Sequence, residues 1–116
     1  MEFTYTNEQS DQIQIYKLSG QLIDRAQAES FLKTVEESIA QGNHRIVLDL
    51  MDLKYVNSSG LNVLINILTK CRTKGGEAVI SGVSKKVSEL LVITKLNTVF
   101  TVAENREDAL EKIKKS

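Results

Sequence analysis

The chain contains no proline and no low-complexity or linker-like stretch. With 116 residues it has room for one core and hardly for two, so one domain spanning residues 1–116 is expected. There is one cysteine, Cys71, so no internal disulfide can form, and a reducing cytoplasm is the expected setting. Cys71 falls on the apolar face of an expected helix, where a buried, inert thiol is the default. There is one histidine, His44, placed in a turn and expected to be solvated. Neither belongs to a spacing that resembles a ligand set, so no metal or other cofactor is expected. Charge of neither sign is in excess: 15 Lys and Arg balance 15 Asp and Glu. The lack of a basic surplus argues against nucleic acid or anionic membrane as the main partner. No apolar run approaches a bilayer span, which argues against membrane insertion. Met1-Glu2-Phe3-Thr4-Tyr5 lacks the basic-then-apolar pattern of a signal peptide. No glycine-rich loop ends in a lysine, which leaves nucleotide binding without its usual cradle.

What remains is an ordinary globular composition, 41% hydrophobic and 26% charged. Phe3 to Thr6 alternates and reads as a strand, with a polar turn from Asn7 to Asp11. Gln12 to Leu18 reads as a half-exposed second strand whose alternation slips at Tyr16 and Leu18, which a bulge would explain. The two form a hairpin at a sheet edge, and Ser19-Gly20 breaks the second strand. Asp24 and Gln27 have capping-box spacing. The helix they open carries Ala28, Phe31, Leu32, Val35 and Ile39 on one face and ends at Gly42.

Arg45 to Leu50 is almost continuously apolar, as a central strand covered on both faces requires. A helix from Leu61 to Lys74 follows, with Leu61, Leu64, Ile65, Leu68 and Cys71 on one face and Val63 and Ile67 widening it. So broad an apolar face means heavy burial or a partner. Gly75-Gly76 ends this helix and Glu77 to Ile80 is the next strand. Ser84 caps a third helix with Val87, Leu90, Leu91 and Thr94 inward. Val99 to Val102 is a last strand. Asn105 caps a final helix docked by Ala109, Leu110 and Ile113. The order β-β-α-β-α-β-α-β-α implies parallel crossovers and an α/β sheet.

Between the central strand and its helix stands Val56-Asn57-Ser58-Ser59-Gly60-Leu61. An amide, two hydroxyls and a glycine are residues that cap a helix and leave its first N–H groups open. The dipole there favours negative charge, so the stretch fits a bound anion or a phosphate carried on serine. Asn57 or Ser58 as a plain N-cap accounts for the same residues. Gly60 admits two readings: a close helix–sheet contact, or a surface that lets a partner's backbone approach. In open α/β folds functional loops lie beyond the carboxyl ends of strands. Both this stretch and Ser19 to Asp24 lie there and are expected to meet on one surface.

The run Ile46-Val47-Leu48-Asp49-Leu50, then Val56 to Leu61, then Gly75-Gly76-Glu77 resembles a STAS domain. More narrowly, it is similar to the stand-alone bacterial anti-sigma factor antagonists. The similarity continues through Val87-Ser88-Glu89-Leu90-Leu91, Ile93-Thr94-Lys95-Leu96, Phe100 and Glu104 to Leu110. It implies a mixed, mostly parallel sheet of about five strands, with about four helices packed on it from one face. It also implies a cytoplasmic transcription regulator without catalysis. Such a protein binds an anti-sigma factor that is also a serine kinase, and so frees a sigma factor. The kinase phosphorylates it, which ends the complex, and a PP2C-type serine phosphatase resets it. Carried over, the acceptor is Ser58, and the partner contact comprises Gln21, Asp24, Asn57, Ser58, Ser59, Gly60 and Asn62. The resemblance leaves a monomer open.

Two positions depart from the family pattern. Asn57 stands where the family usually has Asp; since both residues cap well, the change is expected to be neutral for folding. Gly20-Gln21-Leu22-Ile23-Asp24 stands where Gly-Glu-Leu/Ile-Asp is common. An alternative keeps the fold and changes the partner, making the chain an accessory subunit of a lipid-trafficking ABC transporter. A serine hydrolase is disfavoured, because His44 lies at the opposite end of the central strand from both serines.

Overall fold

The computed structural model describes residues 3–115. β1 (Phe3–Ser10) and β2 (Ile13–Leu22) form an antiparallel hairpin, followed by α1 (Glu29–Ala40), β3 (Arg45–Val56), α2 (Ser58–Thr73), β4 (Glu77–Ser81), α3 (Lys85–Ile93), β5 (Thr101–Ala103) and α4 (Arg106–Lys114). The five strands stand in the order β1-β2-β3-β4-β5, and β2 through β5 run parallel. Each parallel step moves the same way across the sheet, so right-handed crossovers put α1, α2 and α3 on one face. Their apolar residues share a core with Tyr16, Leu18, Ile46, Leu48, Ala78 and Ile80.

The intervening strand residues point the other way. Ile13, Ile15, Val47 and Val79 pack with Ala109 and Ile113 of α4. Three helices therefore share a face as expected, while α4 covers the opposite one. A sheet whose β3 and β4 are apolar on both faces needs both covered. Asp49 interrupts the apolar run of β3 and is 6% exposed. It receives the Met51 N–H at 3.0 Å and the Arg106 guanidinium of α4 at 3.3 Å, and Arg106 also reaches Glu8 at 2.8 Å.

The capping box is present. Asp24 Oδ1 accepts the Gln27 N–H at 2.9 Å and Gln27 Oε1 accepts the N–H of Asp24 at 3.2 Å, opening a short 3₁₀ turn that leads into α1. Gly42 ends α1 with φ +100°. Val63, Leu64, Ile67, Leu68 and Cys71 are buried, so the breadth of the α2 face is explained by the core.

Several boundaries differ from expectation, among them the start of α2, which opens at Ser58 and not at Leu61 because Asn57 supplies the cap. Asn7 to Ser10 is strand, and the hairpin turns on Asp11-Gln12 alone, with φ +49° and +68°. Positive φ at both central residues is the type I′ pattern that suits strand twist. β2 runs through Ser19-Gly20 to Leu22 and is not half-exposed: Ile13 and Ile15 face α4 while Tyr16 and Leu18 face the other core. Its phase therefore never slips. The register does shift, but the extra residues are in β3, where Lys17–Ser19 spans Asp49–Asp52 and Gly20–Gln21 spans Leu53–Tyr55. Leu50, Leu53 and Val56 consequently stay in one core at intervals of three. β3 itself continues past Leu50 to Val56, and β5 is the shorter Thr101–Ala103.

Candidate functional site

β3 delivers the chain to Asn57, whose extended backbone (φ −111°, ψ −172°) is that of an N-cap. Its Oδ1 accepts the Gly60 N–H at 2.9 Å, leaving the first N–H groups of α2 open. Its Nδ2 donates to the Ile23 carbonyl at 3.0 Å, and its own N–H donates to the Leu22 carbonyl at 3.4 Å. Asn57 thus joins the end of β2 to the start of α2, and the two stretches meet as expected. A carboxylate could accept from Gly60 but could not donate to Ile23.

Gly60 is buried one helical position below this surface. A Cβ there would lie 2.1 Å from the Leu22 carbonyl oxygen and 2.6 Å from Val56 Cγ2. The space left by its missing side chain is occupied by this chain's own backbone.

Ser58 and Ser59, the first two residues of α2, are both exposed. Successive helical residues point about 100° apart, and the two hydroxyls part accordingly. Ser59 lines a hollow of about 230 Å³ with Asp24, Arg25, Asn62 and Val63. Ser58 lines a groove of about 310 Å³ between the end of β3 and α3. Gln21 lies in β2 opposite Tyr55 of β3 and lines neither. His44 precedes the first residue of the 12-residue β3, at the opposite end of that strand from Asn57 and the two serines. It lies in the loop as expected but is half-buried rather than fully solvated: its carbonyl accepts the Glu77 N–H at 3.0 Å and its Nδ1 is buried beside Gly76.

The profile of the STAS domain family matches residues 4–109. The chain belongs to the STAS domain family. BtrV of Bordetella bronchiseptica, provisionally designated an anti-sigma factor antagonist, is 32% identical over 104 residues, covering 90% of this chain and 89% of BtrV. The Thermotoga maritima protein TM1081, with the same provisional designation, superposes at a TM-score of 0.87 with 24% identity over 95% of this chain and 94% of TM1081. The anti-sigma factor antagonist SpoIIAA has the same fold in its unphosphorylated form (TM-score 0.75, 16% identity, 96% of this chain and 98% of that one). The phosphorylated form of SpoIIAA, from Bacillus, gives 0.74 with 17% identity over 95% and 99%.

The groove beside Ser58 in this STAS chain is not among the features expected from the sequence. Besides Asn57 and Ser58 it is walled by Tyr55 and Lys54 of β3 and by Lys86, Glu89, Leu90 and Ile93 of α3. One sign was present. Leu90-Leu91-Val92-Ile93 is a longer apolar run than one buried face of a nine-residue helix needs, and Val92 and Ile93 are exposed. Among the described residues no helix is long and apolar enough to cross a membrane, and no three His, Cys, Asp or Glu side chains are placed to hold a metal ion.

Proposed function

We propose that this STAS protein is a cytoplasmic anti-sigma factor antagonist. It acts by binding and has no catalysis of its own. Unphosphorylated, it binds an anti-sigma factor serine kinase and frees a sigma factor. The kinase phosphorylates Ser58, and a PP2C-type phosphatase removes the phosphate. The observation that carries this reading is the exposed Ser58 hydroxyl on the first turn of α2, at the carboxyl end of the central strand. The family, the designation of BtrV and the occurrence of the same fold in phosphorylated and unphosphorylated SpoIIAA support it.

Phosphate adds about −1.5 to −2 charge at neutral pH. The open N–H groups and dipole of α2 accommodate that charge, so the domain stays folded. A partner packed on Ser58 would have to desolvate the dianion, at a cost of several kcal/mol and at least about a hundredfold in affinity. The partner surface takes in Ser59, Asp24 and Asn62 beside Ser58, with Asn57, Gly60 and Gln21 holding the backbone beneath it.

The test is recovery of the partner on this chain from its own cells, followed by mass spectrometry after incubation with that kinase and ATP. Phosphate on Ser58, retained in Ser59→Ala and lost in Ser58→Ala, is expected. Phosphate on Ser59 alone would remove the assignment, and recovery of transporter subunits in place of a kinase would favour the accessory-subunit alternative.

A further inference from the structure

Single exposed apolar side chains mean little on a protein surface. Tyr55 and Ile93, however, are 50% and 77% exposed and both wall the groove that Ser58 lines. They come from different elements, β3 and α3, and with Leu90 they give the groove an apolar floor. Lys54 and Lys86 flank it, both exposed and, among the described residues, in no ion pair. Glu89 is the one acidic residue in the wall, so two cations against one anion leave the groove with a single positive charge.

We infer that this groove is a docking site for a segment of the partner kinase that inserts an apolar side chain over Tyr55 and Ile93 and sets carboxylates against Lys54 and Lys86. The inference rests on the function proposed above and adds to it where, and by what chemistry, the partner is held. Exposed apolar surface gains most from being covered by an apolar group. The unpaired lysines at its rim select an acidic flank and reject a basic one.

The groove also gives the phosphate a second way to act. Ser58 stands in its wall, so about −1.5 to −2 charge on that hydroxyl reverses the sign of the whole groove. The phosphate then occupies the lysines in cis and repels the carboxylates that they attracted. Release follows from charge reversal as well as from the burial of a dianion, and it weakens with added salt.

The experiment uses the full chain and the serine kinase recovered with it. Calorimetry compares wild type, Lys54→Glu/Lys86→Glu and, as a control away from the groove, Lys33→Glu in the body of α1 with Lys74→Glu at the end of α2. The groove variant is expected to lose at least about thirtyfold in affinity and most of the salt dependence, with the control unchanged. Because both lysines are exposed, the variant should melt with wild type. A photo-crosslinker replacing Ile93 then identifies the occupant. A captured kinase peptide carrying an apolar residue beside Asp or Glu supports the inference, and a basic peptide overturns it. Wild-type affinity in Lys54→Glu/Lys86→Glu overturns the groove while leaving the proposed function standing. Failure of the wild-type chain to bind the kinase at all removes the proposed function, and the groove's occupant with it.

Discussion

The first turn of α2 and the rest of the same helix have opposite surroundings. Ser58 and Ser59 are exposed at the helix start, whereas Leu61, Leu64, Ile67, Leu68 and Cys71 have at most 1% of their surface accessible. Gly60 marks the border: it lies in the first turn yet is buried against the end of β2. One helix therefore presents an exposed hydroxyl and anchors the core, with a single turn between the two tasks. A charge can be added at its start without touching what keeps it folded.

The largest expected contrast is chemical. Burial, and secondarily the charge of Glu77, pushes the Cys71 thiol up to about 12. At pH 8 it should carry roughly a thousandfold less thiolate than an ordinary cysteine. Labelling of the native chain by a thiol-specific disulfide reagent should be correspondingly slow, and fast once urea unfolds it. Rapid native labelling would show that the body of α2 is as open as its first turn.

Stability should divide at Gly60. Leu64→Ala, in the body, should cost about 2–5 kcal/mol. Gly60→Ala forces a methyl group against the Leu22 carbonyl, where only backbone can move. That overpacking should cost about 3 kcal/mol, more than the ~1 kcal/mol that alanine gains in helix propensity. Both are read as shifts in the urea midpoint. A neutral Gly60→Ala would mean that Leu22 yields easily and that the border between the two regions is soft.

Much of this arrangement was legible in the residues. The helices, the capping box of Asp24 and Gln27, the caps at Ser84 and Asn105, and the parallel sheet follow from local pattern, because capping and apolar spacing act over a few residues. α1 itself begins later, at Glu29 after an uncapped Ala28, and the cap of α2, open between Asn57 and Ser58, falls to Asn57. The meeting of Ser19–Asp24 with Asn57–Gly60 was also legible, since both lie at the carboxyl ends of neighbouring parallel strands, although Ser19–Leu22 is still part of β2. What escaped depends on neighbours distant in sequence. The bulges of β3 appear only when its register with β2 is known, although Leu50, Leu53 and Val56 carry their spacing. The position of α4 depends on Ile13, Ile15, Val47 and Val79 needing cover, which strand alternation alone does not assign to a helix. The groove joins Tyr55 to Ile93 across residues 56–92, and no local pattern links them.

Asn57 illustrates the same limit. Read as a cap, it is exchangeable with aspartate. Its amide nitrogen, however, also donates to the Ile23 carbonyl at 3.0 Å. Asn57→Asp removes that donor and sets a carboxylate against a carbonyl oxygen, at a cost of about 1–2 kcal/mol. A negative charge at the helix start returns about 0.3–1 kcal/mol. A net loss of about 1 kcal/mol is expected in urea unfolding at pH 7, smaller than the effect at Gly60. An unchanged midpoint would show that the Ile23 contact contributes nothing net.

The smallest effect on folding should come from Ser58 itself. Its hydroxyl is exposed and, among the described residues, has no hydrogen-bond partner, the cap being supplied by Asn57. Ser58→Ala therefore removes one solvated oxygen and should stay within about 0.5 kcal/mol of wild type, a shift of no more than about 3 °C in melting temperature. The same change should abolish phosphate incorporation by the partner kinase while leaving the unphosphorylated complex intact. Ser58→Asp should also fold normally, because a carboxylate suits a helix start, but it should bind weakly in the manner of the phosphorylated chain. The pair is informative because the two readouts part company: nearly equal melting with unequal binding. If Ser58→Ala and Ser58→Asp bound equally, Ser58 would lie outside the contact. If Ser58→Ala melted several degrees lower, the hydroxyl would be part of the fold, and the division between the first turn of α2 and its body would not hold.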